Sequence, residues 1–269
     1  MTATEDRQPS VLDATQSQLQ AYARDLRRLI TVEQEKSREL EQANAQLQAY
    51  ARDLKLALQA EQVRARETER AYLDTVMRLT LASEYKDEET GSHIRRLSYY
   101  AETVALKLGW SAEAARQLRS ATPLHDVGKI AVPDRVLLKP GPLDADEWAL
   151  MMRHTEFGAS LLKGSPSPVL QLGAQIARSH HERWNGSGYP DGLRGEQIPV
   201  AARIVMLVDQ YDALRSRRPY KATLDHEQTV QVILAGDGRT LPEHFDPALL
   251  AVFREAHPEL EYIFERYHD

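Results

Sequence analysis

His125 and Asp126 stand side by side in the run HDVGK, which closes on Lys129. Glu89 and His93 are four residues apart, a spacing that puts both on one face of a helix. His154 lies in the helical stretch MMRHTEFG, and His180-His181 closes another apolar helical stretch. Asp209 sits inside IVMLVDQYDAL, where a carboxylate is costly to bury unless it is paired or bound to metal. Imidazole and carboxylate without sulfur suit iron, manganese, zinc, nickel or cobalt, and a histidine-rich set disfavours magnesium and calcium. Eight candidate ligands (Glu89, His93, His125, Asp126, His154, His180, His181 and Asp209) exceed what one ion can take. The excess points to two or three ions sharing bridging groups. Each piece alone is unspecific, since a mid-helix histidine is more often a core or surface group. Their order and context give them weight.

Glycine and proline divide the chain that must position these residues. All 13 glycines lie at Gly91 or later, and Pro9 is the only proline before Pro123. From Ser10 to Thr90 nothing breaks a helix, and Gln, Ala, Leu, Glu and Arg dominate. Fully helical, that stretch is roughly 120 Å long at 1.5 Å per residue. QLQAYARDL occurs at Gln18–Leu26 and again at Gln46–Leu54, an offset of 28 residues or four heptads. With Leu19 at position a, ten of the fourteen a and d positions from 19 to 64 are apolar. Glu33 and Lys36 interrupt the seam, and Glu61 with Arg64 ends it. Apolar e positions at Ala23, Ile30, Ala51 and Leu58 widen the stripe. A seam this long has little to bury against within one chain, so self-association as a homodimer is expected.

From about Tyr72 the pattern becomes that of a compact helical domain. Ser111 is placed to cap the helix after Trp110, and Asp144 with Glu147 has the spacing of a capping box. Gly164 and Ser165-Pro166-Ser167-Pro168 end a helix and form a loop. No alternating strands and no βαβ rhythm are present. The fold class expected is all-α, with a disordered N-terminus at 1–14, a coiled-coil signalling helix at 15–71 and a helical domain at 72–269.

Composition narrows the function. Of 269 residues, 42% are hydrophobic and 28% charged, which is globular. The net charge of −6 gives no global basic field for long nucleic acid, so a small anionic ligand needs local cations or metal. Without cysteine there are no disulfides, zinc–thiolate sites, iron–sulfur clusters or thiol nucleophiles. No apolar run approaches the ~20 residues that span a bilayer, and MTATEDRQPS does not read as a signal peptide. A cytoplasmic protein with no membrane association is expected.

His93, His125-Asp126 and Asp209 match the H…HD…D signature of the HD superfamily of metal-dependent phosphohydrolases. HDVGKIAVPD at His125–Asp134, HHERWNGSGYPDGL at His180–Leu193 and DQYDALRSRRPYK at Asp209–Lys221 resemble its HD-GYP subfamily, with the literal GYP at Gly188-Tyr189-Pro190. The resemblance covers about Tyr72 to the C-terminus. It implies an all-helical fold and hydrolysis of the bacterial second messenger cyclic di-GMP to pGpG or GMP, by attack of a metal-activated hydroxide. It further implies that His93, His125, Asp126, His154, His180, His181 and Asp209 hold iron or manganese, with Glu89 matching the extra carboxylate of three-metal members. Lys129 matches a lysine on the scissile phosphate, and Tyr189, Arg218 and Lys221 match residues that hold the dinucleotide. Asn185 stands where the family often has aspartate.

Asp212 reads as a structural or hydrogen-bonding acceptor behind the ligands. Trp184 suits either guanine stacking or the core. His226, His244, His257 and His268 read as surface or packing residues. Two alternatives stay beside the leading one: another HD-type nucleotide phosphohydrolase, and a non-catalytic scaffold that binds a cyclic dinucleotide. The helical stalk leaves room for a separate signalling partner.

Overall fold

The run without helix breakers folds as one helix, α1, Val11–Glu84, of 74 residues. It belongs to a computed structural model that describes residues 11–84, 91–216 and 223–267. Of the segment expected to be disordered, residues 1–10 lie outside the described residues; the helix begins at Val11. Glu89, Arg218, Lys221 and His268 also lie outside them. The chain divides into two compact units, Met1–Arg70 and Ala71–Asp269. In the first, the apolar positions of the heptads are exposed along the helix, with Leu26 and Leu54 both 61% accessible.

The second unit is helical throughout, and no strand occurs among the described residues. Its large core gathers α2 (Gly91–Lys107), α3 (Ala112–Ala121), α8 (Val200–Arg215) and α10 (Pro247–Arg266). Tyr100 of α2, Tyr211 of α8 and Phe253 of α10 are fully buried there, with the Tyr100 and Tyr211 rings edge to face. Between α3 and the short α4 (Asp134–Leu137), residues Thr122–Ala131 form a 3-10 helix. Such runs rarely exceed three or four residues. Its Leu124 and Val127 pack with Leu162 and Ala177 in a smaller core formed with α6 (His154–Leu162) and α7 (Pro168–Ser179).

The local signals act where the sequence placed them. Ser111 Oγ accepts from the Ala114 N–H at 3.2 Å. Asp144 and Glu147 close a full capping box on α5 (Ala145–Met152). Asp246 caps α10 by accepting from the Ala248 N–H. One expectation changes. The apolar stretch through MMRHTEFG is two helices, because the chain turns at Arg153, whose N–H bonds to the Leu150 carbonyl three residues back. His154 therefore starts α6 instead of sitting mid-helix. α9 (His226–Ala235) completes the domain.

Candidate metal centre and the cavity beside it

The 3-10 helix delivers His125 and Asp126 to the middle of the site. Gly128, two residues on, makes this possible: a β-carbon there would lie 1.9 Å from the His154 carbonyl oxygen and 2.4 Å from the Gly158 nitrogen. The missing side chain lets the 3-10 helix lie directly on α6. His154 at the start of α6 and His180-His181 after α7 then converge on Asp126. His154 Nε2 is 3.2 Å and His180 Nε2 3.4 Å from Asp126 Oδ1, and the two Nε2 atoms are 3.4 Å apart.

These short distances join atoms that all carry lone pairs. His154 Nδ1–H donates to the Met151 carbonyl at 2.8 Å. His180 Nδ1–H is shared by the Ile176 and Ala177 carbonyls at 3.1 Å each. His125 Nδ1–H donates to the Thr122 carbonyl at 3.0 Å, which turns its Nε2 to Asp126 Oδ2 at 3.2 Å. With Nδ1 bonded to the main chain, each ring aims Nε2 at the centre, where its neutral form presents an acceptor. Asp126 Oδ1 is buried with no hydrogen-bond donor among the described residues. Converging acceptors around a buried carboxylate oxygen suit a cation, and this donor set fits a divalent transition metal.

The potential ligands form two groups: Asp126, His154, His180 and His181, and His93, His125 and Asp209, each with ligand atoms within 4.8 Å of one another. Lys129 Nζ lies 2.8 Å from Asp126 Oδ2. Burial would raise the Asp126 carboxyl, but the Lys129 ammonium outweighs it and holds the group well below the usual carboxylate range. Burial pushes His180 down, against the opposing pull of the Asp126 carboxylate, and pushes His181 well down.

In α8 the two aspartates keep the roles expected of them, Asp209 among the potential metal ligands and Asp212 as a hydrogen-bond acceptor behind them, but their burial differs from what the apolar context of Asp209 suggests. Asp212, 0% accessible, is the buried carboxylate; Asp209 is 23% accessible and borders the cavity. Asp212 accepts from His93 Nδ1 at 2.8 Å and from both Nε and a terminal nitrogen of Arg96 at 2.7 and 2.8 Å. Ser216 Oγ–H adds a bond at 3.0 Å. His93 Nε2 faces Asp209 Oδ1 at 3.8 Å.

The GYP loop is folded tightly beside this centre. The buried Glu182 carboxylate accepts from the Asp191 N–H at 2.7 Å and the Leu193 N–H at 3.0 Å. A β-carbon on Gly188 would stand 2.3 Å from the Arg183 nitrogen, so glycine is required there. Asn185 Oδ1 accepts from the Ser187 N–H and hydroxyl, so asparagine serves the loop turn. Tyr189 stacks on His181 at 4.8 Å between centroids, and burial raises its phenol, which stays protonated.

A cavity of about 350 Å³ opens between the loop, α5, α8 and residues 240–245. His180, His181, Tyr189 and Asp209 border it, and so do Trp148, Arg183, Gln210, Thr240 and His244, which sequence reasoning did not assign to a site. Trp184 is not among its lining residues; its ring lies under the Arg203 guanidinium at 5.4 Å. His226 is buried, with Nδ1 2.9 Å from the Tyr211 hydroxyl and Nε2 2.9 Å from His257 Nδ1, away from the cavity lining.

The HD domain family model matches residues 76–249. The chain is 47% identical over 190 residues to the cyclic di-GMP phosphodiesterase response regulator RpfG of Xanthomonas campestris pv. campestris, covering 71% of this chain and 49% of that protein. It is 41% identical over 191 residues to a cyclic di-GMP phosphodiesterase of Thermotoga maritima, covering 71% and 51%. It is 42% identical over 182 residues to the 3'3'-cGAMP-specific phosphodiesterase 2 of Vibrio cholerae, covering 68% and 34%. The chain thus spans a third to a half of the length of these relatives. The crystal structure of a cyclic GMP-AMP-specific phosphodiesterase of V. cholerae shares the fold, with a TM-score of 0.53 at 20% identity over 73% of this chain and 51% of that one.

Proposed function

The chain belongs to the HD domain family, in its HD-GYP branch, and on that premise we propose that it is a metal-dependent phosphodiesterase that hydrolyses cyclic di-GMP to pGpG or GMP. The convergence of His125, Asp126, His154 and His180 as lone-pair donors carries this reading. His154, His180, His181 and Asp126 would hold one ion and His93, His125 and Asp209 a second, with Asp126 offering an oxygen to each group. Iron or manganese suits this set. Glu89, outside the described residues, would add a third position beside His93.

Bound divalent ions supply Lewis-acid charge and lower the pKa of water for attack on phosphorus. The protein's own groups do the rest. Lys129 places a fixed positive charge beside Asp126, where the phosphodiester gains negative charge in the transition state. Tyr189, protonated and braced against His181, borders the cavity as a hydrogen-bond donor to the dinucleotide. By the family resemblance, Arg218 and Lys221 hold its phosphates; Arg218 is suited to bidentate contact.

The likeness to the V. cholerae 3'3'-cGAMP-specific enzyme supports a second reading in which the mixed dinucleotide is the substrate. The apolar seam of α1 supports homodimerisation through residues 15–60, and a separate signalling partner would act through the same helix. No helix of the described residues is long and apolar enough to cross a membrane, which suits a cytoplasmic enzyme.

Protein loaded with iron or manganese under anaerobic conditions is expected to convert cyclic di-GMP to pGpG or GMP, resolved by chromatography. Replacing His125 and Asp126 with alanine should abolish turnover. Wild-type rates in that double variant at equal metal content would refute the site.

A further inference from the structure

One wall of the cavity carries polar groups that the metal chemistry does not use. Arg183 comes from the loop after α7, Gln210 from α8, and Thr240 and His244 from the segment before α10. The His244 ring is buried, and its Nδ1 accepts from the Leu241 N–H at 3.2 Å. The proton of the neutral ring is therefore on Nε2, which has no acceptor among the described residues. Burial and the Arg183 guanidinium both lower the His244 pKa, which keeps the ring neutral. The Trp184 N–H donates to the His244 carbonyl at 2.8 Å, so the segments that carry Arg183 and His244 are joined. The Arg183 side chain makes no hydrogen bond or ion pair among the described residues. Gln210 Nε2 donates to Thr240 Oγ1 at 3.2 Å, which fixes the amide and leaves Oε1 as an acceptor. The wall thus offers donors at Arg183 and His244 and an acceptor at Gln210.

Resting on the phosphodiesterase reading above, we propose that this wall is a guanine-reading subsite. In it, Arg183 and His244 Nε2–H donate to the N7 and O6 edge of a guanine, and Gln210 Oε1 accepts from its N1–H.

Guanine presents N7 and O6 as acceptors followed by N1–H and the exocyclic amine as donors, and arginine is a strong partner for the first pair. Adenine carries an amino donor where guanine has O6, so a donor of the wall meets a donor of the base. A phosphate offers acceptors only and would set an oxygen against Gln210 Oε1. Trp148, 47% accessible and edge to face with Tyr189 at 6.0 Å, adds an indole surface at the cavity rim on which a purine can stack. A hydrogen-bonding wall discriminates by leaving its own buried groups unpaired against the wrong ligand.

Two variants test this. In His244→Asn the side-chain oxygen can still accept from the Leu241 N–H, but the Nε2 donor is gone. Gln210→Leu removes the acceptor at a partly exposed helical position, where a folding defect is not expected. Binding of cyclic di-GMP and cyclic di-AMP to the full chain would be measured by calorimetry, and metal-loaded turnover of both would be followed alongside. Wild type should prefer cyclic di-GMP, and each variant should lower that preference about threefold to tenfold, the effect of one hydrogen bond. Wild type without a guanine preference overturns the subsite, and so does an unchanged preference in both variants. Equal weakening toward both dinucleotides marks a phosphate contact and also overturns it. Cyclic di-GMP hydrolysis with unaltered preference in the variants would remove the subsite and leave the phosphodiesterase reading standing. A guanine preference lost in the variants, with no hydrolysis by wild type, would do the reverse.

Discussion

His93 donates its Nδ1–H to Asp212 Oδ2 at 2.8 Å, and this bond turns its Nε2 toward Asp209. The same carboxylate neutralises the buried Arg96 through two bonds, at 2.7 and 2.8 Å. One aspartate therefore fixes the tautomer of a candidate ligand and compensates a buried cation.

Replacing Asp212 with alanine should cost about 3–5 kcal/mol of stability, because it leaves the Arg96 guanidinium buried without its counter-ion. Urea unfolding of the metal-free protein measures this. Metal affinity should also fall about tenfold to a hundredfold through the misoriented His93 ring. A variant with wild-type stability and metal content would show that the network is dispensable.

Gly128→Ala should be among the most damaging single-methyl changes in the chain. The new carbon would meet backbone atoms of His154 and Gly158 at 1.9 and 2.4 Å, and backbone cannot rotate away. A loss of about 3 kcal/mol or more is expected, together with reduced metal content. Gly91→Ala is the control: its added carbon meets only a Leu81 methyl at 3.4 Å, and the change should stay within about 1 kcal/mol. Thermal melts of the two variants should separate clearly.

The exposed seam of α1 predicts a dimer for the full chain in light scattering. Removing residues 1–65 should give a monomer that keeps helical circular dichroism and binds metal. A full-length protein that stays monomeric at high micromolar concentration would defeat the seam's role.

Glu89→Gln should lower metal content by up to one ion per chain and slow hydrolysis if the carboxylate is a ligand. If Glu89 only favours the start of α2 electrostatically, metal content should not change and stability should drop by at most about 1 kcal/mol. Elemental analysis of the two proteins, prepared in parallel, distinguishes these outcomes.

The long helix and most candidate ligands were legible because their signals are local. The absence of Gly and Pro before Gly91 and the 28-residue repeat mark α1, and His-Asp adjacency marks the centre. The 3-10 helix was not legible, since a run with apolar residues three apart reads like one face of an α-helix. Asp209 and Asp212 share the apolar context of one helix, so only the packing of Arg96 and His93 shows which is buried. The polar wall was hidden for another reason. Arg183, Gln210 and His244 come from separate segments with no common spacing, so His244 read as an ordinary packing histidine. Trp148, not Trp184, borders the cavity, and the Trp184 ring instead faces the Arg203 guanidinium.

The carbonyls that take the Nδ1 protons of His125, His154 and His180 belong to Thr122, Met151, Ile176 and Ala177. Every residue type carries such an oxygen. The orientation of the three rings is consequently encoded in the path of the main chain and is silent in the identity of those four neighbours. Substitutions at Thr122, Met151, Ile176 or Ala177 that keep the helices and their packing in place should leave the rings aimed as they are. Selection at the buried Thr122, Ile176 and Ala177 then acts through packing and not through a polar side chain, whereas a one-residue insertion between any of the four and its histidine would disarm the centre.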